Sequence, residues 1–314
     1  MDHMDDILKK AREMSWKTFG KVITFYLPGM FRCDGVYGKY PAISITGTEC
    51  ALSCDHCKGT LLHSMISAST PALLIEKCMF LAEKGNHGVL ISGGCDEDGR
   101  LPWKKFIPVI REVKEKTGLF ISVHCGLLDD ATAIDLKEAG VDQALIDVIG
   151  DDETYRGIYH VKFGVSRIES TLDSLQKARL PVTPHIVCGL HYGSIRGEYK
   201  AVEMISRFDA EQVVIVSYMK TPGADTDKFV LPGAVEVAGI IAQTRLRMPE
   251  VRISMGCARE RGNTLLETLA IDAGVNRMAI PSDEAIKRAM DYGLEIRYQR
   301  TCCSVSRDLS GPEW

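Results

Sequence analysis

Cys50, Cys54 and Cys57 lie in the string TECALSCDHCKG at the spacing C-x3-C-x2-C, directly after a strand-like run at 42–46. Three thiolates packed into eight residues can grip one metal centre from a single loop. Their number matters more than their closeness. A structural zinc site wants four ligands, and a cubane iron–sulfur cluster normally takes four cysteines. A local trio leaves one metal position open, and an open position is where chemistry can happen. A zinc reading would need a fourth nearby ligand such as His56.

Those residues must be positioned by regular elements, and the chain alternates short apolar runs with helix-period segments. Strands are expected at 42–46, 88–92, 119–123, 144–148, 183–187, 213–217, 251–255 and 276–280. Helices are expected at 71–84, 104–116, 131–139, 165–178, 197–208, 233–247, 264–273 and 283–292. Strict alternation implies parallel βαβ units, and nearly all-apolar strands fit a sheet buried on both faces. Eight units predict an α/β fold, a (β/α)8 or partly open TIM-type barrel; a doubly wound open sheet is the competitor. The expected organisation is an N-terminal helix (about 6–19) and pre-barrel segment over 1–40, a barrel over 41–295 and a cysteine-containing tail over 296–314.

A barrel gathers functional residues where strands end, on its C-terminal face. There the sequence places the cysteine loop, then Gly93-Gly94-Cys95-Asp96, His124-Cys125, Asp147 before Gly150, and Cys188 through Gly193 with His191 and Tyr192. Tyr218 through Gly223 and Gly256-Cys257-Ala258-Arg259 continue the series. Each could be turn chemistry alone; together they outline one rim.

Eleven cysteines, at net charge −4, bound the class further. They favour metal or redox chemistry over a disulfide framework in a chain read as cytoplasmic. Cys78, inside an apolar helical stretch, reads as a small buried hydrophobe. The slight acidity excludes an electrostatic case for nucleic acid, and no apolar run approaches the ~20 residues of a membrane span.

The cysteine trio after the first barrel strand, with a glycine pair after the second, resembles the radical S-adenosylmethionine (SAM) enzymes. The resemblance implies a 4Fe–4S cluster on Cys50, Cys54 and Cys57 whose fourth iron binds SAM. It also implies a 5′-deoxyadenosyl radical that abstracts hydrogen from an unactivated C–H bond, a bond that side chains have no means to attack. Gly93 and Gly94 would approach SAM through bare backbone, and Asp147, His191 and Tyr192 would face its ribose or the substrate, as would His124. Two positions depart from the family pattern: His56 replaces a usual aromatic, and Cys95 a usual glutamate.

From about 40 to 300 the chain is similar to the biotin-synthase-like group. VRISMGCARERG, at 251–262, resembles a seventh-strand segment that supplies an arginine to a second, sulfur-donating cluster. Arg252 matches that arginine, but Cys257 is the better ligand. Cys33, Cys257, Cys302 and Cys303 form a candidate auxiliary 4Fe–4S site, with Cys95, Ser304 or Ser306 as possible replacements for one of them. FYLPGMF, GGCDEDG and the terminal Cys-Cys pair resemble one component of the two-component lipoyl synthases found chiefly in archaea. That resemblance implies sulfur insertion at C6 of an 8-mercaptooctanoyl chain on a lipoyl-carrier protein or domain, with the auxiliary cluster as sulfur source. A companion radical SAM protein and an electron donor such as ferredoxin or flavodoxin are the implied partners. Lys220 and Arg259 would meet a carboxylate or an acidic carrier. The alternatives are another biotin-synthase-like enzyme with one cluster, a methyltransferase or cofactor-assembly enzyme, and a non-catalytic iron–sulfur or zinc protein.

Overall fold

A computed structural model describes residues 2–33, 35–221, 224 and 227–314; Pro222 and Gly223, which close the sixth strand-end motif, lie outside the described residues. The chain opens with α1 (Asp2–Phe19), β1 (Val22–Tyr26) and a hairpin of β2 (Arg32–Cys33) and β3 (Val36–Tyr37). Then follow β4 (Ala42–Ser44), β5 (Ile66–Ser67), α2 (Pro71–Glu83), β6 (Gly88–Ser92), α3 (Trp103–Thr117), β7 (Phe120–His124) and α4 (Asp130–Glu138). The middle holds β8 (Gln143–Asp147), α5 (Asp152–Tyr159), α6 (Ser166–Lys177), β9 (Val182–Cys188), α7 (Glu198–Ile205) and β10 (Gln212–Ser217). Last come α8 (Ala234–Arg247), β11 (Arg252–Met255), α9 (Thr264–Asp272), β12 (Arg277–Ala279), α10 (Asp283–Asp291) and β13 (Glu295–Gln299).

All eight expected strands form, as β4 and β6–β12. They lie side by side in chain order within an 11-stranded sheet, β13-β1-β12-β11-β10-β9-β8-β7-β6-β4-β5. A doubly wound fold reverses its strand order at a switch point; no reversal occurs from β4 to β12, so the sheet curls as a partly open barrel. Its neighbouring strands pair in parallel throughout. Between β13 and β4 the gap is spanned by Lys39, whose N–H donates to Arg300 O (2.7 Å) and whose carbonyl accepts from His87 N (2.9 Å).

Three strands of the sheet lie outside the eight expected units. β1 falls in what reads as a pre-barrel segment, yet it sits between β12 and β13. β13 opens what reads as the tail; its sequence EIRYQ is half exposed and charged, a pattern of edge strands rather than of buried ones. β5 is two residues long. Helix starts follow side-chain capping: Thr70, Asp129, Asp151 and Ser282 each accept a backbone N–H from the first turn of α2, α4, α5 and α10.

The N-terminal mouth of the barrel is filled by the chain's own end. Gln212 Nε2 and Ser254 Oγ donate to Cys303 O at 2.8 and 3.0 Å, and Arg277 and Tyr26 donate to Val305 O at 2.8 and 3.4 Å. Buried strands seldom carry such residues; here each satisfies a buried carbonyl of the incoming tail. The segment 302–306 is thereby fixed inside the barrel, and it carries Cys302 and Cys303 there.

Candidate active site

The cysteine loop is a tight backbone structure sewn to its surroundings. Ala51 N donates to Cys95 O (2.8 Å) and Asp55 N to Ile158 O (2.9 Å), tying the loop to the end of β6 and to α5. Asp55 accepts from Lys58 Nζ (2.6 Å) and pairs with His160 Nε2 (2.8 Å). Burial pushes the Asp55 pKa up, but these two partners outweigh it and hold it below the usual value. Gly94 is required by close approach: a Cβ there would lie 2.0 Å from Glu49 O and 2.5 Å from Cys50 Cβ. Its N–H donates to Thr46 Oγ1 at 2.7 Å. Gly93 packs against Thr46 in the same way, with 3.0 Å to Oγ1 from a built Cβ.

The trio converges. The Cys54 thiol donates to Cys57, lowering the Cys57 pKa and raising that of Cys54, and Cys50 adds to the charge around Cys54. His56 also favours the Cys57 thiolate. Its ring packs at 5.2 Å against that of Tyr159, and two buried polar atoms here, His56 Nδ1 and Tyr159 OH, have no partner among the described residues. Three converging thiols beside orphaned polar groups fit a cluster with one externally liganded iron better than a closed four-ligand site. Cys95 lies beside Cys50 and Cys57, and burial pushes its thiol up to about 12. It therefore stands with the loop trio, away from the auxiliary set for which it was a substitute.

One step inward, the ends of β7 and β8 and the middle of β9 bring together His124, Asp147 and His185, offering ligand atoms that all lie within 4.8 Å of one another. Burial pushes the Asp147 pKa up, but His124, then His185 and His56, overcome it and bring it to about 2. Burial lowers His124, and the Asp147 carboxylate more than reverses this. His185 goes the other way, down to about 4, through burial and the neighbouring His124. His185 is absent from the sequence-derived site because it sits inside a strand; a lone imidazole in a buried apolar run was the available signal.

The second cysteine group assembles across the barrel. Cys303 lies within hydrogen-bonding reach of both Cys257 and Cys302, which lowers their pKa values, Cys302 to about 6, while its own rises. Ser304 Oγ donates to Cys302 Sγ at 3.1 Å, whereas Ser306 turns to Gln143 (3.2 Å). Adjacent cysteines thus do converge, because the tail bends at a turn inside the barrel. Cys33 sits on β2, whose neighbour Phe31 reaches the Cys257 loop: Phe31 packs under the Arg261 guanidinium (5.4 Å), and Arg261 donates to Cys257 O at 2.8 Å. Arg252 is not with them. It begins β11, at the opposite end from Cys257, with its guanidinium 5.5 Å over Phe19.

The remaining predicted residues separate. His191 Nδ1 bonds Thr154 Oγ1 (3.1 Å), its Nε2 meets Arg196 (3.2 Å), and its ring packs on Tyr192 at 5.4 Å, all on the rim after β9. Lys220 is exposed. Arg259 is fully buried and its carboxylate partner is internal: it donates to Glu267 Oε1 (2.6 Å), Gly256 O (2.6 Å) and Ala279 O (2.7 Å). It pins the loop that holds Cys257 and is not available to a carrier protein. Among the described residues no helix is long and apolar enough to cross a membrane.

Comparison with known proteins agrees with this geometry. Residues 44–196 match the radical SAM superfamily. A biotin synthase of Rickettsia felis is 26% identical over 246 residues, covering 74% of this chain and 76% of its own. A 3-methylornithine synthase of Methanosarcina acetivorans is 21% identical over 274 residues, covering 84% and 74%. The crystal structure of a methylornithine synthase superposes with a TM-score of 0.65 at 18% identity, over 94% of this chain and 89% of that one. An FeFe-hydrogenase maturase gives 0.67 at 13%, over 94% and 68%. At these identities the structural matches speak for the fold. The superfamily implies a 4Fe–4S cluster and SAM, and the loop trio fits both. Over residues 44–196 the chain matches the radical SAM domain, and over a longer span it is similar to biotin synthase and 3-methylornithine synthase.

Proposed function

We propose that this radical SAM protein inserts sulfur into a carrier-bound octanoyl-derived chain, at C6 of the 8-mercaptooctanoyl intermediate, in lipoyl cofactor synthesis. The observation that supports a sulfur-inserting reading is the convergence of Cys257, Cys302 and Cys303 inside the barrel. Cys50, Cys54 and Cys57 would hold the SAM cluster; Cys257, Cys302, Cys303 and Cys33 would hold the auxiliary one. When bound, the first cluster and SAM supply a radical able to take hydrogen from an unactivated carbon.

The chain's own residues do the positioning. Asp55, Lys58 and His160 fix the loop; Gly94 lets it lie against β6; His56 and Tyr159 offer unsatisfied polar atoms to what binds there. His191 and Tyr192 form the rim on the β9 side, where the SAM ribose or the substrate would pass. Asp147 we leave out of that shell, because its carboxylate is already turned to His124. A carrier domain bearing the modified lysine, a companion radical SAM protein and a ferredoxin- or flavodoxin-type donor complete the reading.

The test is anaerobic incubation with SAM, reductant, and octanoyl or 8-mercaptooctanoyl peptides, with products read by mass. Sulfur appearing only on the mercapto peptide is the expected result. 5′-Deoxyadenosine formed without sulfur transfer to either peptide returns the chain to the single-cluster reading.

A further inference from the structure

Between the two cysteine groups lies a constellation that neither uses. His124, Asp147 and His185 come from three adjacent strands, β7, β8 and β9, in parallel register: His124 faces Leu145, and Asp147 faces His185. We propose that this triad is a binding site for a single divalent transition-metal ion, zinc or one of its neighbours, held by two imidazoles and a carboxylate with an open position toward the barrel interior.

Four observations carry it. First, the three ligand atoms lie within 4.8 Å of one another, close enough to share one ion. Second, His124 Nε2 and Asp147 Oδ1 are 3.4 Å apart. A charge-assisted hydrogen bond would draw in to about 2.7–2.9 Å, whereas two ligands at about 2.0–2.1 Å on a tetrahedral ion stand ~3.4 Å apart. Third, an ion pair needs one histidine, and there are two. The His185 ring lies 5.7 Å from that of His124, edge to face, and makes no bond to the carboxylate. Its Nδ1–H donates to Thr183 O (3.1 Å), which fixes the ring and leaves Nε2 with a lone pair. Orientation of a ligating imidazole by a backbone carbonyl is the usual outer-shell arrangement of metal-bound histidines. Burial keeps His185 neutral at physiological pH, the form a metal requires. Fourth, about 30% of the His124 side chain and 32% of Asp147 remain open to the interior, so an ion has an entry path and a free coordination position.

Two nitrogens and one carboxylate oxygen suit zinc or ferrous iron, and three protein ligands leave room for an exogenous fourth. The ion site stands whether or not the proposed substrate is correct, since its ligands belong to neither cysteine group.

The test uses the anaerobically reconstituted holoprotein, dialysed against Zn(II) and freed of loose metal, with zinc, iron and sulfide counted together. The expected result is one zinc per chain beyond the iron–sulfur content. Its zinc-edge X-ray absorption should show a shell dominated by nitrogen and oxygen near 2.0 Å, not sulfur near 2.3 Å. D147N and H185Q should each weaken zinc binding at least about tenfold while iron and sulfide counts and the thermal midpoint stay near wild type. D147N tests the anionic ligand; H185Q tests the imidazole that the ion pair does not need. No bound zinc, a sulfur-dominated shell, or zinc retained equally by both variants would overturn the site and leave a buried His124–Asp147 ion pair.

Discussion

The two cysteine groups are built on opposite principles. The first is local: Cys50, Cys54 and Cys57 sit in one loop, and its supports, Asp55 with Lys58 and His160, lie within it or at the residue that ends α5. The second is made by topology. Cys257 leaves the C-terminal end of β11, while Cys302 and Cys303 enter from below on a tail held by Gln212, Ser254, Arg277 and Tyr26. A local site can form as soon as its loop does. A dispersed one exists only when the barrel and the tail are both in place, so global damage should reach it first.

The sharpest break between them is chemical. Replacing Cys50, Cys54 and Cys57 together with alanine is expected to abolish SAM cleavage and halve the iron from eight to four per chain, the irons per cubane being ~4. Replacing Cys257, Cys302 and Cys303 with serine should also halve the iron, yet leave 5′-deoxyadenosine formation intact and remove only sulfur transfer. Iron and sulfide counts beside a cleavage assay check both. If the second triple variant leaves the iron content unchanged, the tail cysteines are not cluster ligands.

The next largest effect falls on Arg259. It is fully buried and bonded to Glu267, Gly256 O, Ala279 O and Ile280 O. Arg259→Met leaves a buried glutamate without its cation, a loss of ~3–5 kcal/mol when one partner of a buried pair is removed. Urea unfolding measures it. The comparison predicts that iron on the Cys257 side is lost at lower urea than iron on the loop, because Arg259 holds the Gly256–Cys257 turn.

Legibility in the sequence followed the same division. Cys50, Cys54, Cys57 and Gly94 are readable because their spacing and neighbours are sequential, and the eight alternating units are readable because a buried parallel strand is nearly all apolar. β1 and β13 are not, since their pairing joins the two ends of the chain and no local pattern records which edge they meet. His185 hides for a related reason: its partners lie on β7 and β8. The polar residues at strand starts, Gln143, Gln212 and Arg277, were visible anomalies in apolar runs. Their meaning, a mouth built to receive backbone, needed the tail's position.

That mouth can be tested at Gln212. Its Nε2 donates to Cys303 O, and its Oε1 accepts from Arg277 (2.5 Å). Gln212→Leu leaves a buried guanidinium short of one acceptor and a carbonyl short of one donor, costing ~1–3 kcal/mol. Ser254 still donates to Cys303 O, so the tail should stay seated while loosening. Hydrogen exchange over 302–306 should quicken in the variant and stay unchanged over the 50–57 loop. Equal quickening in both would mean that the two groups share one cooperative unit.

The smallest expected effect is at Asp55, and its sign is set by charge. Its folded pKa lies below the ordinary value, so the carboxylate form stabilises the fold. That contribution is fully present above the unfolded pKa of ~3.9 and is lost as pH falls through the lower folded value. Lys58 and Asp55 side chains are 32% and 24% exposed, so solvent screens the pair and a contribution of ~0.2–1 kcal/mol is expected. Thermal unfolding of wild type and Asp55→Asn, both cluster-free, should differ slightly at pH 7 and converge as the solution is taken below about pH 4. Divergence on acidification would mean that the carboxylate is held against its preference. The loop's tether would then be strained where the present geometry makes it supportive.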